Sequence, residues 1–203
     1  MRNDLKLPRL YKTLLMLALV FGPFYWLAFT EDGQRRTDLA LMFLLGKPEM
    51  NAALDSFTSA LTEGQIRETF PKLAFQCADG ANPFGDRLCA AEIGAFNGMP
   101  ASSVTLFLVG DGLRAVKVAY RRIYHPLIRD WVDGRVGRAD GLPTSEEINE
   151  TGDGVATWTV PDGLLIMRDG ELAREDDPAL FWLSRAALAR QAAAHAPDQV
   201  PLN

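Results

Sequence analysis

Histidine and cysteine are scarce in this chain, with two of each among 203 residues. A structural zinc site takes four ligands, commonly drawn from these two residue types, and His125 and His195 are the only histidines on offer. No H-E-x-x-H, G-x-S-x-G, Walker phosphate loop or G-x-G-x-x-G pattern occurs, so the local signatures of zinc peptidases, serine hydrolases and nucleotide-binding domains are missing. Asp79, Asn82 and Asp86 gather oxygen atoms in one stretch, without the alternating acidic pattern and closing glutamate of a calcium loop. Turn-making by short polar side chains is the simpler reading of that stretch. His125 directly precedes Pro126, as a residue flanking the start of a helix does. No catalytic residue, cofactor or metal ligand is therefore expected.

Positive charge is also in short supply. The formal net charge is −5, and residues 1–12 hold four of the 21 basic residues against one of the 26 acidic ones. Everything beyond them is more acidic than the whole. Nucleic-acid binding rests on neutralising phosphates with a basic surface, and adhesion to anionic lipid needs the same excess. Both are excluded as principal functions.

Long apolar runs are absent with one exception, residues 13–30, TLLMLALVFGPFYWLAFT, which contain no charged side chain. As a helix this run extends about 27 Å at 1.5 Å per residue, close to the ~30 Å hydrocarbon core of a bilayer. Tyr11, Tyr25 and Trp26 stand near its ends, where amphipathic rings favour the headgroup zone. Pro23 follows Gly22 and removes one backbone donor, which predicts a kink. Arg2, Lys6, Arg9 and Lys12 precede the run, whereas Glu31 and Asp32 follow it. The positive-inside rule keeps the amino terminus in the cytoplasm and exports the remainder. A cleaved signal peptide and a buried core helix are the competing readings. Large residues at 26–29, where a cleavage site wants small ones, argue against the first, and an uncharged run of this length against the second. The expectation is an uncleaved anchor in the inner (plasma) membrane.

Cys77 and Cys89 both fall in the part so exported, where a close pair reads as a disulfide. Free thiols, or redox or metal chemistry, are the alternatives; the spacing is not C-x-x-C, the pattern of thioredoxin-type redox sites.

Taken in order, residues 1–12 are a basic cytoplasmic start, 13–30 the anchor and 31–47 a juxtamembrane connector with turn-rich 31–37 and a short apolar run at 39–45. Residues 48–196 are one exported domain and 197–203 a flexible tail. Pro48 with Ala53, Leu54, Phe57 and Leu61 has helical spacing. Thr62 and Gln65 form a capping box that opens a second short helix, ended by Pro71. Leu73, Phe75 and Cys77 alternate as a strand, 79–86 reads as a loop, and Cys89 to Ala95 alternate again before the turn Asn97-Gly98. Residues 104–109 and 116–120 make a hairpin about Gly110-Asp111-Gly112. Pro126 begins a helix with Leu127, Ile128, Trp131, Val132 and Val136 on one face, and 138–154 is a polar loop holding the chance-level sequon at Asn149. Residues 156–168 form a second hairpin about Pro161-Asp162-Gly163. Asp177-Pro178 opens a last helix with Leu180, Leu183, Ala187 and Leu188 apolar. The fold class is α+β, an antiparallel sheet packed by helices.

The order from the capped helix with Gly64-Gln65-Ile66, through a strand, a cysteine-flanked loop and a meander, resembles a known unit. It is similar to the helix-then-sheet unit of the beta-lactamase-inhibitor-protein fold and of small outer-membrane assembly lipoproteins, over about residues 60–123. The resemblance implies a non-catalytic envelope domain that works by binding, and it puts no functional residue on any position.

Three functions follow as expectations. The first is a single-pass accessory protein that presents its domain to a protein partner in the cell envelope. Arg114, Lys117, Arg121 and Arg122 are then the candidate partner-binding side chains, although a solvated sheet face is the blander account. The second is an envelope hydrolase with a dispersed site, and the third a small-ligand or cation-binding domain that uses the Cys77–Cys89 loop.

Overall fold

The computed structural model describes residues 8–139, 154–170, 172–173 and 176–195. The sequon at Asn149, most of the polar loop expected at 138–154 and the tail 197–203 lie outside the described residues. The chain divides into two units, 1–45 and 46–203.

The first unit is a pair of helices, α1 (Arg9–Phe29) and α2 (Glu31–Leu45), joined at Thr30. Within α1, Leu10–Phe29 is long and apolar enough to cross a membrane, and all of it is exposed. Pro23 lies inside the helix. Thr30 makes the joint: its Oγ1 donates to the Trp26 carbonyl at 2.7 Å and accepts from the Gly33 amide at 3.1 Å. A side chain on Gly33 would strike the Trp26 carbonyl, so the second helix leaves the first only with glycine there. Arg36 places its guanidinium 5.4 Å from the centre of the Trp26 ring. The turns expected at 31–37 are thus helical, and they run unbroken into the apolar stretch 39–45. Glu31 and Asp32 in the first turn of α2 complement its dipole, and that local signal outweighs the turn-rich composition.

In the second unit, β1 (Glu49–Met50), β4 (Ala95–Phe96) and β5 (Met99–Pro100) form a small sheet. The large sheet has seven strands: β2 (Gln76–Asn82), β3 (Gly85–Glu92), β6 (Ser103–Val109), β7 (Gly112–Ala119), β8 (Gly154–Val160), β9 (Gly163–Asp169) and β10 (Ala179–Ser184). They lie in the order β2-β3-β6-β7-β10-β9-β8, with every neighbouring pair antiparallel. The helices are α3 (Glu63–Thr69), α4 (His125–Val136) and α5 (Arg185–His195).

One row of side chains crosses the whole large sheet. Cys77 faces Cys89, then Leu106, Val116, Trp182, Leu165 and Trp158 follow strand by strand. From Cys89 onward each is at most 1% exposed. Ile66 of α3, Ile128 and Val132 of α4, and Met50, Leu54 and Phe57 of the leading segment complete this core. The opposite face is thinner. Phe107, Ala115 and Leu183 form a small separate cluster with Phe84 and Leu188 of α5 packed against it.

Several local expectations give way to long-range contacts. No α-helix follows Pro48: a two-residue strand and a single 3-10 turn at Leu54–Ser56 stand there. The amide of Asn97 clamps Ala52, and Asp162 binds the Ser59 backbone and hydroxyl. The loop expected at 79–86 is the tip of a hairpin with strand on both sides, because Asn82 Oδ1 accepts from the Phe84 amide and closes a tight turn. Residues 179–184 are a strand rather than the start of the last helix, which begins at Arg185. β10 sits between β7 and β9 and is buried on both faces, so its apolar residues carry no period of two. Leu127 points outward, half exposed, off the buried face of α4. The capping box at Thr62 and Gln65 and both turn-defined hairpins form as expected.

Candidate functional site

Cys77 and Cys89 are disulfide-bonded, directly opposite one another on β2 and β3. The bond sits within a charged cluster that ties α3 to this hairpin. Glu63, in the first turn of α3, accepts from Arg67 Nε and Arg87 Nε, each at 2.8 Å. Arg87 also binds Asp79, and Arg67 Nη2 lies 2.9 Å from Cys77 Sγ. The hydrogen bond from Arg87 holds the Glu63 carboxyl below its ordinary range, with Arg67 adding to it against the opposing effect of burial. Glu63 and Asp79 in turn raise the Arg87 guanidinium.

Glu63, Cys77 and Cys89 bring one carboxylate oxygen and two sulfurs within 4.8 Å of one another. The sulfurs are bonded to each other and two guanidiniums flank the carboxylate, so this arrangement disfavours a cation. The oxygen atoms proposed from the sequence are engaged as well. Asp79 binds Arg87, Asn82 closes the hairpin, and Asp86 accepts from the Gly110 amide at 3.2 Å.

The four basic residues read together from the sequence occupy different surroundings. Arg114 is the extra residue where the β6–β7 register shifts; the Ser59 hydrogen bonds lower the Asp162 carboxyl against its burial, with Arg185 and then Arg114 adding least. Lys117 places its ammonium 5.7 Å from the centre of the Phe181 ring, on the thinner face of the sheet. Arg122 opens the 3-10 turn that leads into α4, and Arg121 precedes it in extended backbone, beyond the end of β7.

His125 is 6% exposed, with Nδ1 3.0 Å from the Tyr120 hydroxyl. Nε2 is enclosed without a well-aligned hydrogen bond, only an approach to the Arg168 backbone. Burial pushes its pKa down, the Arg129 charge adds to that, and the contact with the Arg168 backbone opposes it. Burial pushes the Tyr120 hydroxyl up. His125 and Tyr120 are thus a buried pair, joined through Nδ1, that leaves one imidazole nitrogen without a well-aligned hydrogen bond.

A cleft of about 630 Å³ opens beside the last turns of α4. Its walls are residues 51–55, the β4–β5 turn at Asn97, the last turns of α4 and the β8–β9 turn at 159–161. Sequence periodicity assigns Trp131 to the core and gives no role to Asp55 or Arg135. Their convergence depends on four segments far apart in the chain, and no local pattern encodes it. No protein-family model, curated protein or solved structure matches this chain.

Proposed function

We propose that this protein is a single-pass membrane accessory protein. Residues 13–30 lie in the bilayer, the amino terminus is cytoplasmic, and the domain beyond residue 46 faces the periplasmic or other extracytoplasmic side. There it engages a protein partner without catalysing a reaction. The observation that carries this reading is α1: Leu10–Phe29 is long and apolar enough to cross a membrane, and none of it is buried. An aqueous chain does not leave so large an apolar surface uncovered. The disulfide is in keeping with an oxidising compartment. A binding rather than catalytic role draws support from the burial of the paired Tyr120 and His125, which are 3% and 6% exposed.

Alkylation of thiols in intact membranes, with and without reductant, tests the topology. Neither cysteine is expected to react with a membrane-impermeant reagent until reductant is added, after which the partly exposed Cys77 labels. A protein that stays unlabelled after reduction in intact membranes, and labels only once the membranes are permeabilised, would overturn the exported placement; labelling without reductant would overturn the disulfide. Recovery of the protein alone and monodisperse after gentle extraction from native membranes would count against a stable partner.

A further inference from the structure

The cleft beside α4 has a volume of about 630 Å³, within the ~300–1,000 Å³ range of small-ligand pockets. Its floor is apolar: Leu54 and Val160 are buried, and Val136 joins them from α4. Trp131 is half buried, its plane set by Phe96 at 79° and a centre-to-centre distance of 6.0 Å. No hydrogen bond among the described residues uses its indole N–H. Asp55 and Arg135 stand exposed at the rim, and among the described residues neither forms an ion pair or a side-chain hydrogen bond. The walls are fixed in advance. Asn97 holds Ala52 by two hydrogen bonds, and the β8–β9 turn is pinned through Asp162 to Ser59. A preformed cleft spares a ligand the cost of ordering it.

We infer that this cleft binds a neutral saccharide. One free carboxylate and one free guanidinium leave the rim without net charge, so neither an anion nor a cation finds an excess of its opposite. A sugar ring satisfies the whole set. Its C–H face lies against Trp131, its hydroxyls donate to Asp55, and they accept from Arg135 and the indole N–H. Binding of this kind combines a flat aromatic surface with a few placed polar groups. The cleft lies wholly within residues 46–203, so the inference does not rest on the membrane reading.

The test uses the full chain in phospholipid nanodiscs, free of sugar-headed detergent. N,N′-diacetylchitobiose and maltose are titrated by calorimetry, with inorganic phosphate as the charged comparison. Saturable binding of at least one sugar is expected, with no heat from phosphate. Asp55→Ala and Arg135→Ala, at exposed positions that leave the core intact, are each expected to weaken that binding about tenfold or more. Absence of saturable binding by both sugars would overturn the inference. So would phosphate binding as tightly as sugar, or undiminished sugar binding by either variant. Thiol labelling reports topology separately, so failure of one reading is distinguishable from failure of the other.

Discussion

The side chain of Asn97 pairs with the backbone of Ala52 as a neighbouring strand would. Its Nδ2 donates to the Ala52 carbonyl at 2.8 Å, and its Oδ1 accepts from the Ala52 amide at 3.0 Å. Asn97 also has φ of 50°, at a turn where asparagine is tolerated and most residues are not. Asn97→Ala loses both bonds and strains the turn, a cost of about 2–3 kcal/mol at roughly 1 kcal/mol for each effect. Asn97→Gly keeps the turn and loses only the bonds. Urea denaturation should therefore place the glycine variant between the parent and the alanine variant.

Acid should expose the Glu63 cluster. The carboxyl is held below its ordinary value of 4.5 in the folded state. A depressed folded-state pKa contributes stability that is complete above the unfolded value and lost as pH falls through the folded one. Glu63→Gln is thus expected to be less stable than the parent near neutral pH, and the gap should close progressively below pH 4.5. Thermal melts of both proteins across that range provide the check, and a gap independent of pH would remove the carboxylate from the account.

Gly163 begins β9 where the chain turns back from β8. A Cβ there would collide with the Leu183 carbonyl and come within 3.1 Å of the Trp182 indole nitrogen. The first obstacle is backbone of the central strand, which cannot swing aside. Gly163→Ala is expected to lower stability by about 1–3 kcal/mol, read as a shift in the urea midpoint.

Removal of the Cys77–Cys89 bond frees a short loop in the unfolded chain. The double variant Cys77→Ala, Cys89→Ala is expected to lose about 2–4 kcal/mol. Reduction of the parent should produce a loss of similar size, with no further effect of reductant on the variant.

Local chemistry was legible in the sequence and distant partnership was not. The capping box of Thr62 and Gln65 acts within one turn of helix, and Pro161-Asp162-Gly163 closes a hairpin on its own neighbours. Both were readable for that reason. Leu180, Leu183, Ala187 and Leu188 fall at helical spacing, yet Trp182 and Phe181 between them pair with Val116 and Lys117 of β7 and with β9 on the other side. A strand enclosed on both faces shows no alternation, so nothing local opposes the helical reading. The same holds at 53–61, where Asn97 and Asp162 hold the backbone from far along the chain. The saccharide cleft was illegible because each of its walls is unremarkable alone. The cysteine pair was legible because twelve residues of separation already suggest adjacency.

The position of β10 has a consequence for the order in which the domain can be assembled. β2, β3, β6 and β7 make one block and β8 with β9 another, and the strand that joins them in the sheet is residues 179–184. Until that segment is in place, the two blocks have no shared hydrogen-bonded seam. Non-local closures of this kind are slow. A chain synthesised from its amino terminus passes through a stage of two unjoined half-sheets, with the edges of β7 and β9 open to other strands. The insertion of β10 acts as a latch, and its timing sets how long those edges stay open.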